Sequence, residues 1–170
     1  MENYITKLPF YYLQNRPRLY KGISIDTKKW VIGAFMYFPK NYPYNCYEVP
    51  PETNDDFVPL IIDTTINQYG KPNFTRSNAV YSNTISEFTG LYDKNGQPVW
   101  EGDIVKYPSG KYHSGDIGVV EYVIDSFKAH IINNADIAYQ SLTFQSNYSY
   151  EIIGNIWDNP EIIEKYIINT

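Results

Sequence analysis

Short segments of alternating apolar and polar residues recur along the chain, and residues that favour turns separate them. This pattern predicts β-strands, because successive side chains of a strand point to opposite faces of its sheet. In Trp30–Phe38 both alternating sets are apolar, which predicts a strand covered on both faces. In Phe57–Ile62, Pro59 lacks a main-chain N–H, which predicts an edge strand or a bulge. Further strands are predicted at residues 117–124, 127–132 and 150–156, with Asp125 and Ser126 as the turn between the first two.

The end of the sequence carries a helix signal. Asn159 suits the cap position, Pro160 suits the first helical position, and Glu161 follows near the positive end of the helix dipole. Apolar residues then recur at helical spacing, namely Ile162, Ile163, Tyr166 and Ile167. Short strands followed by one helix predict a mainly β fold, which is a barrel or sandwich of short antiparallel strands with a short C-terminal helix.

The stretch Thr89–Lys106, TGLYDKNGQPVWEGDIVK, predicts a β-turn-β unit. Asn95-Gly96 is a strong hairpin signal because both residues tolerate positive φ. Gly102 suits a bend or bulge where the alternation breaks, and Asp103 is predicted to accept main-chain hydrogen bonds that hold this turn closed. A carboxylate pair of Glu101 and Asp103 would also suit acid/base or metal chemistry. That chemistry needs a histidine or third carboxylate that the sequence does not place nearby, so the structural interpretation is favoured.

Tyrosine-bearing loops are the predicted binding surface. Residues 39–83 are predicted to be variable and rich in loops, and tyrosine offers a large contact area with few torsions to immobilise. The candidate partner-binding residues are Tyr42, Tyr44, Tyr47, Tyr69, Tyr81, Tyr107, Lys111, Tyr112 and His113. Alternatively, these rings cover a β core. A small nucleic-acid patch would require separate loops to converge, bringing together Lys71, Arg76, Lys106, Tyr107, Lys111 and Tyr112.

Composition narrows the function further. The 170 residues carry a net charge of −5, which disfavours broad binding to a phosphate backbone. The single cysteine, Cys46, allows no internal disulfide and makes a cysteine-based zinc site improbable. We expect no signal peptide and no membrane span, and therefore a protein of the cytoplasm.

Several motifs together resemble the YopX family, whose members occur in phages and prophages of Gram-positive bacteria. The matching segments are LYKGISIDTKKWVIGAF (residues 19–35), TISEFTG (84–90), TGLYDKNGQPVWEGDIV (89–105), GVVEYV (118–123) and EIIGNIWDNPEII (151–163). Lys21 stands where the family usually has arginine. Residues 1–18 are predicted to be an extension and residues 19–170 the family domain, in which 39–83 matches poorly. The resemblance implies a mainly β fold and phage origin, and it carries over no activity.

We therefore expect a non-enzymatic, protein-binding or self-associating module without a cofactor or metal, which acts on a host or phage protein in the bacterial cytoplasm. The alternative is a β-barrel that binds nucleic acid.

Overall fold

The structure, a computed structural model, describes residues 18–39, 57–62, 77–108, 115–124, 126–131, 138–142 and 150–168. The strands are β1 (Tyr20–Ile23), β2 (Trp30–Pro39), β3 (Phe57–Ile62), β4 (Ser77–Ala79), β5 (Ser86–Tyr92), β6 (Pro98–Trp100), β7 (Asp103–Lys106), β8 (Ile117–Val123), β9 (Ser126–Ile131), β10 (Ala138–Ser141) and β11 (Glu151–Asn155). A 3₁₀ turn spans Ser82–Thr84, and the helix α1 spans Pro160–Ile168.

These strands form two antiparallel sheets. The larger sheet has the order β4-β3-β2-β1-β5-β6, and the smaller has the order β10-β9-β8-β7-β11. The described strands of each sheet do not close into a ring, so of the two predicted architectures the sandwich is observed. The predicted mainly β fold and the C-terminal helix are confirmed.

The main core lies where the two sheets meet. Val99 of β6 packs in one cluster with side chains of the smaller sheet, namely Val105, Tyr107, Val120, Ala129 and Ile131. Alternate residues of β7, β8 and β9 supply this cluster, as the two-residue period of a strand requires. A second cluster, formed by Val58, Leu60 and Ala79, lies at the β3–β4 end of the larger sheet.

Two expectations for the larger sheet are wrong. Ile32, Met36 and Tyr37 of β2 are exposed, so this apolar strand is not covered on both faces. β3 is an interior strand between β4 and β2 rather than an edge. Pro59 is tolerated there because its carbonyl accepts a hydrogen bond from Val80 N–H at 3.1 Å, so its missing donor faces the end of the short β4 ladder.

The predicted loop-rich region 39–83 also contains regular structure. Besides β3, its described part includes β4, which pairs with β3, and the first residues of the 3₁₀ turn. Short strands of serine, asparagine and alanine have no strong apolar alternation, so the sequence pattern did not separate β4 from the loops around it.

The Thr89–Lys106 unit contains more strand than its sequence predicts. β5 begins at Ser86, so Gly90 lies inside this strand, at φ +80° and beside a register shift, rather than before it. Pro98 opens β6. Of the pair Asn95-Gly96 only Gly96 has positive φ, and its N–H bonds to Asp93 C=O at 3.0 Å, which fits a type I turn followed by a left-handed glycine.

Asp93 holds this turn and joins it to β11. Its Oδ1 accepts hydrogen bonds from the main-chain N–H of Asn95 and Gln97, each at 2.8 Å, and its Oδ2 accepts one from Ile152 N–H at 3.1 Å. Burial acts to raise the pKa of Asp93, but the three amides outweigh it, and the pKa lies below its ordinary value.

Gly102 makes the sharp turn through which the chain leaves the larger sheet for the smaller one. Its φ is +80°, and a Cβ placed on it would lie 2.2 Å from the Trp157 ring. Asp103 Oδ2 accepts a hydrogen bond from Trp100 N–H at 2.8 Å, which closes the same turn. The predicted roles of both residues are confirmed.

The β8–β9 hairpin and α1 complete the smaller sheet's side of the molecule. Val123 pairs with Ser126, so Ser126 already belongs to β9 and is not part of the turn in which it had been predicted. The helix begins at Pro160 as predicted, and Asn159 Oδ1 accepts a hydrogen bond from Asn155 N–H at 3.4 Å.

Replacing Gly102 with valine is expected to lower the free energy of unfolding by roughly 3 kcal/mol, through left-handed strain and overlap with the Trp157 ring. Gly96→Ala is the matched control, because Gly96 has φ +77° but nothing within 4 Å of a built Cβ, and it should cost only about 1 kcal/mol. Urea unfolding of both variants measures the difference. Equal losses would show that Trp157 does not constrain residue 102.

Asp93→Asn is expected to lower the free energy of unfolding at pH 7 by about 1–2 kcal/mol, because an amide oxygen replaces a carboxylate that accepts three N–H groups. The lowered folded-state pKa means that the carboxylate stabilises the fold above its unfolded pKa, and that this is lost as pH falls through the folded value. Urea unfolding from about pH 3 to 7 should therefore show the two proteins converging in acid. A gap that widens in acid would contradict this assignment.

Candidate functional site

Most of the predicted partner-binding residues lie outside the described part of the chain. These are Tyr42, Tyr44, Tyr47, Tyr69, Lys111, Tyr112 and His113. The two described candidates behave differently. Tyr81 is partly exposed, and the Lys28 ammonium lies 4.8 Å from its ring centre and contacts its hydroxyl.

Tyr107 belongs to the core rather than to the surface. It is 1% exposed, its ring packs edge-on against Tyr150 at 6.0 Å, and it joins the main core cluster. Burial raises the pKa of the Tyr107 hydroxyl, and it raises that of Tyr150 to about 12. The prediction that Tyr107 is a surface residue is therefore wrong. Tyr107 follows the exposed Lys106 at the end of β7, so strand alternation turns its ring inward.

Two exposed and two half-buried aromatic residues instead lie together where β2 ends and β3 begins in the larger sheet. Tyr20, Phe35 and Tyr37 lie on the same face of the sheet according to the strand register. The ring centres of Tyr20 and Phe35 are 5.3 Å apart, and those of Phe35 and Tyr37 are 4.9 Å apart. Phe57 lies on the same face, because it pairs with Pro39, two residues beyond Tyr37. Tyr37 is 58% exposed and Phe57 is 49% exposed. We call these four residues the aromatic surface.

A buried ion pair that the sequence did not predict joins the two sheets. Lys21 Nζ of β1 donates a hydrogen bond to Asp103 Oδ1 of β7 at 2.8 Å, and both side chains are buried. Burial raises the pKa of Asp103 above its ordinary value, although the Lys21 ammonium and Trp100 N–H oppose this shift. The sequence signal for this pair was the basic residue before Gly22, part of the motif that carries the family resemblance.

Two tryptophans lie beside this pair, and the third packs against one of them. The Lys21 ammonium lies 4.9 Å from the ring centre of Trp30 and 5.5 Å from that of Trp100, within cation–π range. Trp30 also packs edge-on against Trp157, with ring centres 5.7 Å apart. Trp30 Nε1–H donates to Asp158 at 2.8 Å, so β2 is tied to the segment before α1.

The two carboxylates considered for acid/base chemistry serve different networks. Asp103 binds Lys21 and closes its own turn, whereas Glu101 lies near the main-chain amides of Glu87 and Tyr122, which act to lower its pKa. Burial, with smaller effects of the nearby Glu87 and Glu121 charges, raises the pKa of Glu101, against the effect of these amides. The structural interpretation of both residues is thus supported by their contacts.

The described part of the chain includes one histidine, His130. His130 Nδ1 lies 3.4 Å from Glu121 Oε1 on the outer side of β8 and β9, as predicted from strand alternation. No group of three or more histidine, cysteine, aspartate or glutamate side chains within the described ranges could hold a metal ion. Nor does a helix in these ranges have the length and hydropathy needed to cross a membrane.

The tip of the β8–β9 hairpin presents a second exposed apolar group. Ile124 is 93% exposed and has φ +59°, and Tyr122 is 57% exposed. The Tyr122 ring packs edge-on against Phe127 across the hairpin, with ring centres 5.1 Å apart. Val120 of the same strand is buried, whereas Tyr122 and Ile124 are exposed, because the hairpin extends beyond the core.

Two antiparallel sheets joined at a buried ion pair define the class of protein as a small β-sandwich. Comparison with known families then identifies it. The YopX family model, described as YopX protein, matches residues 44–164, more than two thirds of the chain. The chain therefore belongs to the YopX family, which confirms the resemblance. The match includes residues 44–83, although that region had looked dissimilar.

A solved structure is also similar. The crystal structure of protein EF1440 from Enterococcus faecalis is 23% identical in sequence, with a TM-score of 0.46, and the alignment covers 86% of this chain and 97% of that chain. A search of curated proteins gave no match.

Proposed function

We propose that this protein is a non-enzymatic binding module, encoded by a phage or prophage, that binds a host or phage protein in the bacterial cytoplasm. The observation that carries this proposal is the aromatic surface, on which Tyr37 and Phe57 leave about half of their surface exposed. Large aromatic side chains contribute strongly to protein interfaces when buried there, and they are enriched at such interfaces.

The position of the aromatic surface is a second argument for binding. β2 ends at Pro39 and β3 begins at Phe57, so the segment that joins them leaves and returns at this end of the sheet. The sequence of that segment holds Tyr42, Tyr44 and Tyr47. These tyrosines stay candidates for contact with the same partner.

The contacts of the ionisable side chains support a non-enzymatic role. Asp103 accepts hydrogen bonds from Lys21 and from Trp100 N–H, and Glu101 lies near two main-chain amides. Groups engaged in this way hold turns together, whereas a general acid or base must reach a substrate.

Nucleic acid is the less favoured partner. Of the six basic and aromatic residues that would form a patch, Lys106 and Tyr107 are described, and Tyr107 is buried. The net charge of −5 opposes phosphate binding as well.

The test is affinity capture with the tagged protein from Gram-positive cells, followed by binding measurements with the purified captured protein. The double variant Tyr37→Ser/Phe57→Ser is expected to weaken that binding at least tenfold, because it removes the exposed rings. The matched control is Tyr92→Ser, since Tyr92 is a similarly exposed tyrosine that lies on β5.

Retention of the partner by Tyr92→Ser and its loss by the double variant would support the proposal. Equal binding by all three proteins would contradict it. Retention of the wild-type protein on single-stranded DNA at low salt, without a protein partner, would favour the nucleic-acid alternative instead.

A further inference from the structure

The β8–β9 hairpin tip combines two unfavourable features in one residue. Ile124 has a left-handed backbone with φ +59°, which is strained for a β-branched residue and not for glycine. The same side chain is 93% exposed, so burial within this chain returns almost nothing. Asparagine or glycine would suit the turn better on both counts.

Lys28 provides the contrast. It is the other non-glycine residue with positive φ in the described ranges, and it lies in the β1–β2 turn. Its side chain is charged, and its ammonium contacts Tyr81. Ile124 has no polar group, and its side chain is almost wholly exposed, so packing among the described residues does not explain it.

The base of the tip is well supported. Tyr122 lies two residues before Ile124, and its ring is held edge-on by Phe127 of the neighbouring strand. Phe127 in turn packs against the main core cluster. An isoleucine that projects from such a supported hairpin can insert into a pocket on another molecule. Side chains that insert in this way act as interface anchors when they are desolvated.

The negative charge near the hairpin tip indicates that basic residues surround the partner's pocket. Glu101 lies near the main-chain amide of Tyr122, and the charges of Glu87 and Glu121 are close enough to act on its pKa. Lys128 pairs with Glu121 across the hairpin and His130 lies 3.4 Å from it, but three carboxylates against one lysine leave an excess of negative charge. Carboxylates repel an anionic lipid surface, and they complement lysine or arginine on a protein.

We propose that Tyr122 and Ile124 form a second contact, which inserts into an apolar pocket rimmed by basic residues on a protein partner. This contact is separate from the aromatic surface, and it rests on the proposed function only in that the partner is a protein.

The first arm of the test separates the tip from the fold. Ile124→Asn and Ile124→Gly both relieve the left-handed strain, and are expected to raise Tm by roughly 2–4 °C. A Tm that is unchanged or lower in both variants would overturn the argument that Ile124 is retained against stability.

The second arm identifies what the tip touches. p-Benzoylphenylalanine is placed at position 124 of the full chain and, as a control, at Thr27, an exposed residue of the β1–β2 turn. After irradiation in Gram-positive cells, position 124 is expected to yield a cross-linked protein that position 27 does not. The cross-linked peptide should map to apolar residues flanked by lysine or arginine.

Binding of that purified protein should weaken at least tenfold in Ile124→Asn, and Glu101→Lys should weaken it as well. Ile32→Thr, which alters an exposed isoleucine of β2, should bind normally. Cross-links to lipid, equal cross-links at both positions or none, or normal binding by Ile124→Asn would overturn this proposal. Loss of binding by Tyr37→Ser/Phe57→Ser alongside normal binding by Ile124→Asn would leave the proposed function standing and remove only the second contact.

Discussion

The buried pair of Lys21 and Asp103 is the interaction on which the arrangement of the two sheets depends. Each residue belongs to a different sheet, and their side chains meet at 2.8 Å away from solvent. Burying two charges is costly, and the cost is offset only when each charge keeps its partners. Asp103 meets this condition with the Lys21 ammonium and Trp100 N–H, and Lys21 meets it with Asp103 and two aromatic rings.

This junction joins the two sheets, and the two proposed binding surfaces lie away from it, one on each sheet. Gly102 must be glycine because Trp157 covers it, and Trp157 is held in turn by Trp30 and by a hydrogen bond from its Nε1–H to Asn83 C=O at 2.8 Å. The aromatic surface lies at the β2–β3 end of one sheet, and the hairpin tip projects from the other. Their exposed apolar groups are not explained by packing within the described chain, which is why we assign binding to them.

The sequence predicted the elements better than it predicted how they meet. Strands, the C-terminal helix and the role of Gly102 followed from local patterns, because turn chemistry and side-chain alternation depend on neighbouring residues. Lys21 and Asp103 are 82 residues apart, and no local pattern predicts a pair at that separation. Tyr107 was taken for a surface residue because its loop context outweighed strand alternation. The exposure of Ile124 could not be predicted either, since an isoleucine at the end of an apolar strand ordinarily signals core.

A double-mutant cycle on the pair tests this account most directly, with urea unfolding at pH 7 of the wild type, Lys21→Met, Asp103→Asn and the double variant. Lys21→Met leaves a buried carboxylate unpaired and should cost about 3–5 kcal/mol, whereas asparagine at 103 still accepts from Trp100 N–H. The account predicts that the double variant loses at least about 2 kcal/mol less than the sum of the single variants. Additive losses would contradict it, because they would mean that Lys21 and Asp103 stabilise the two sheets independently.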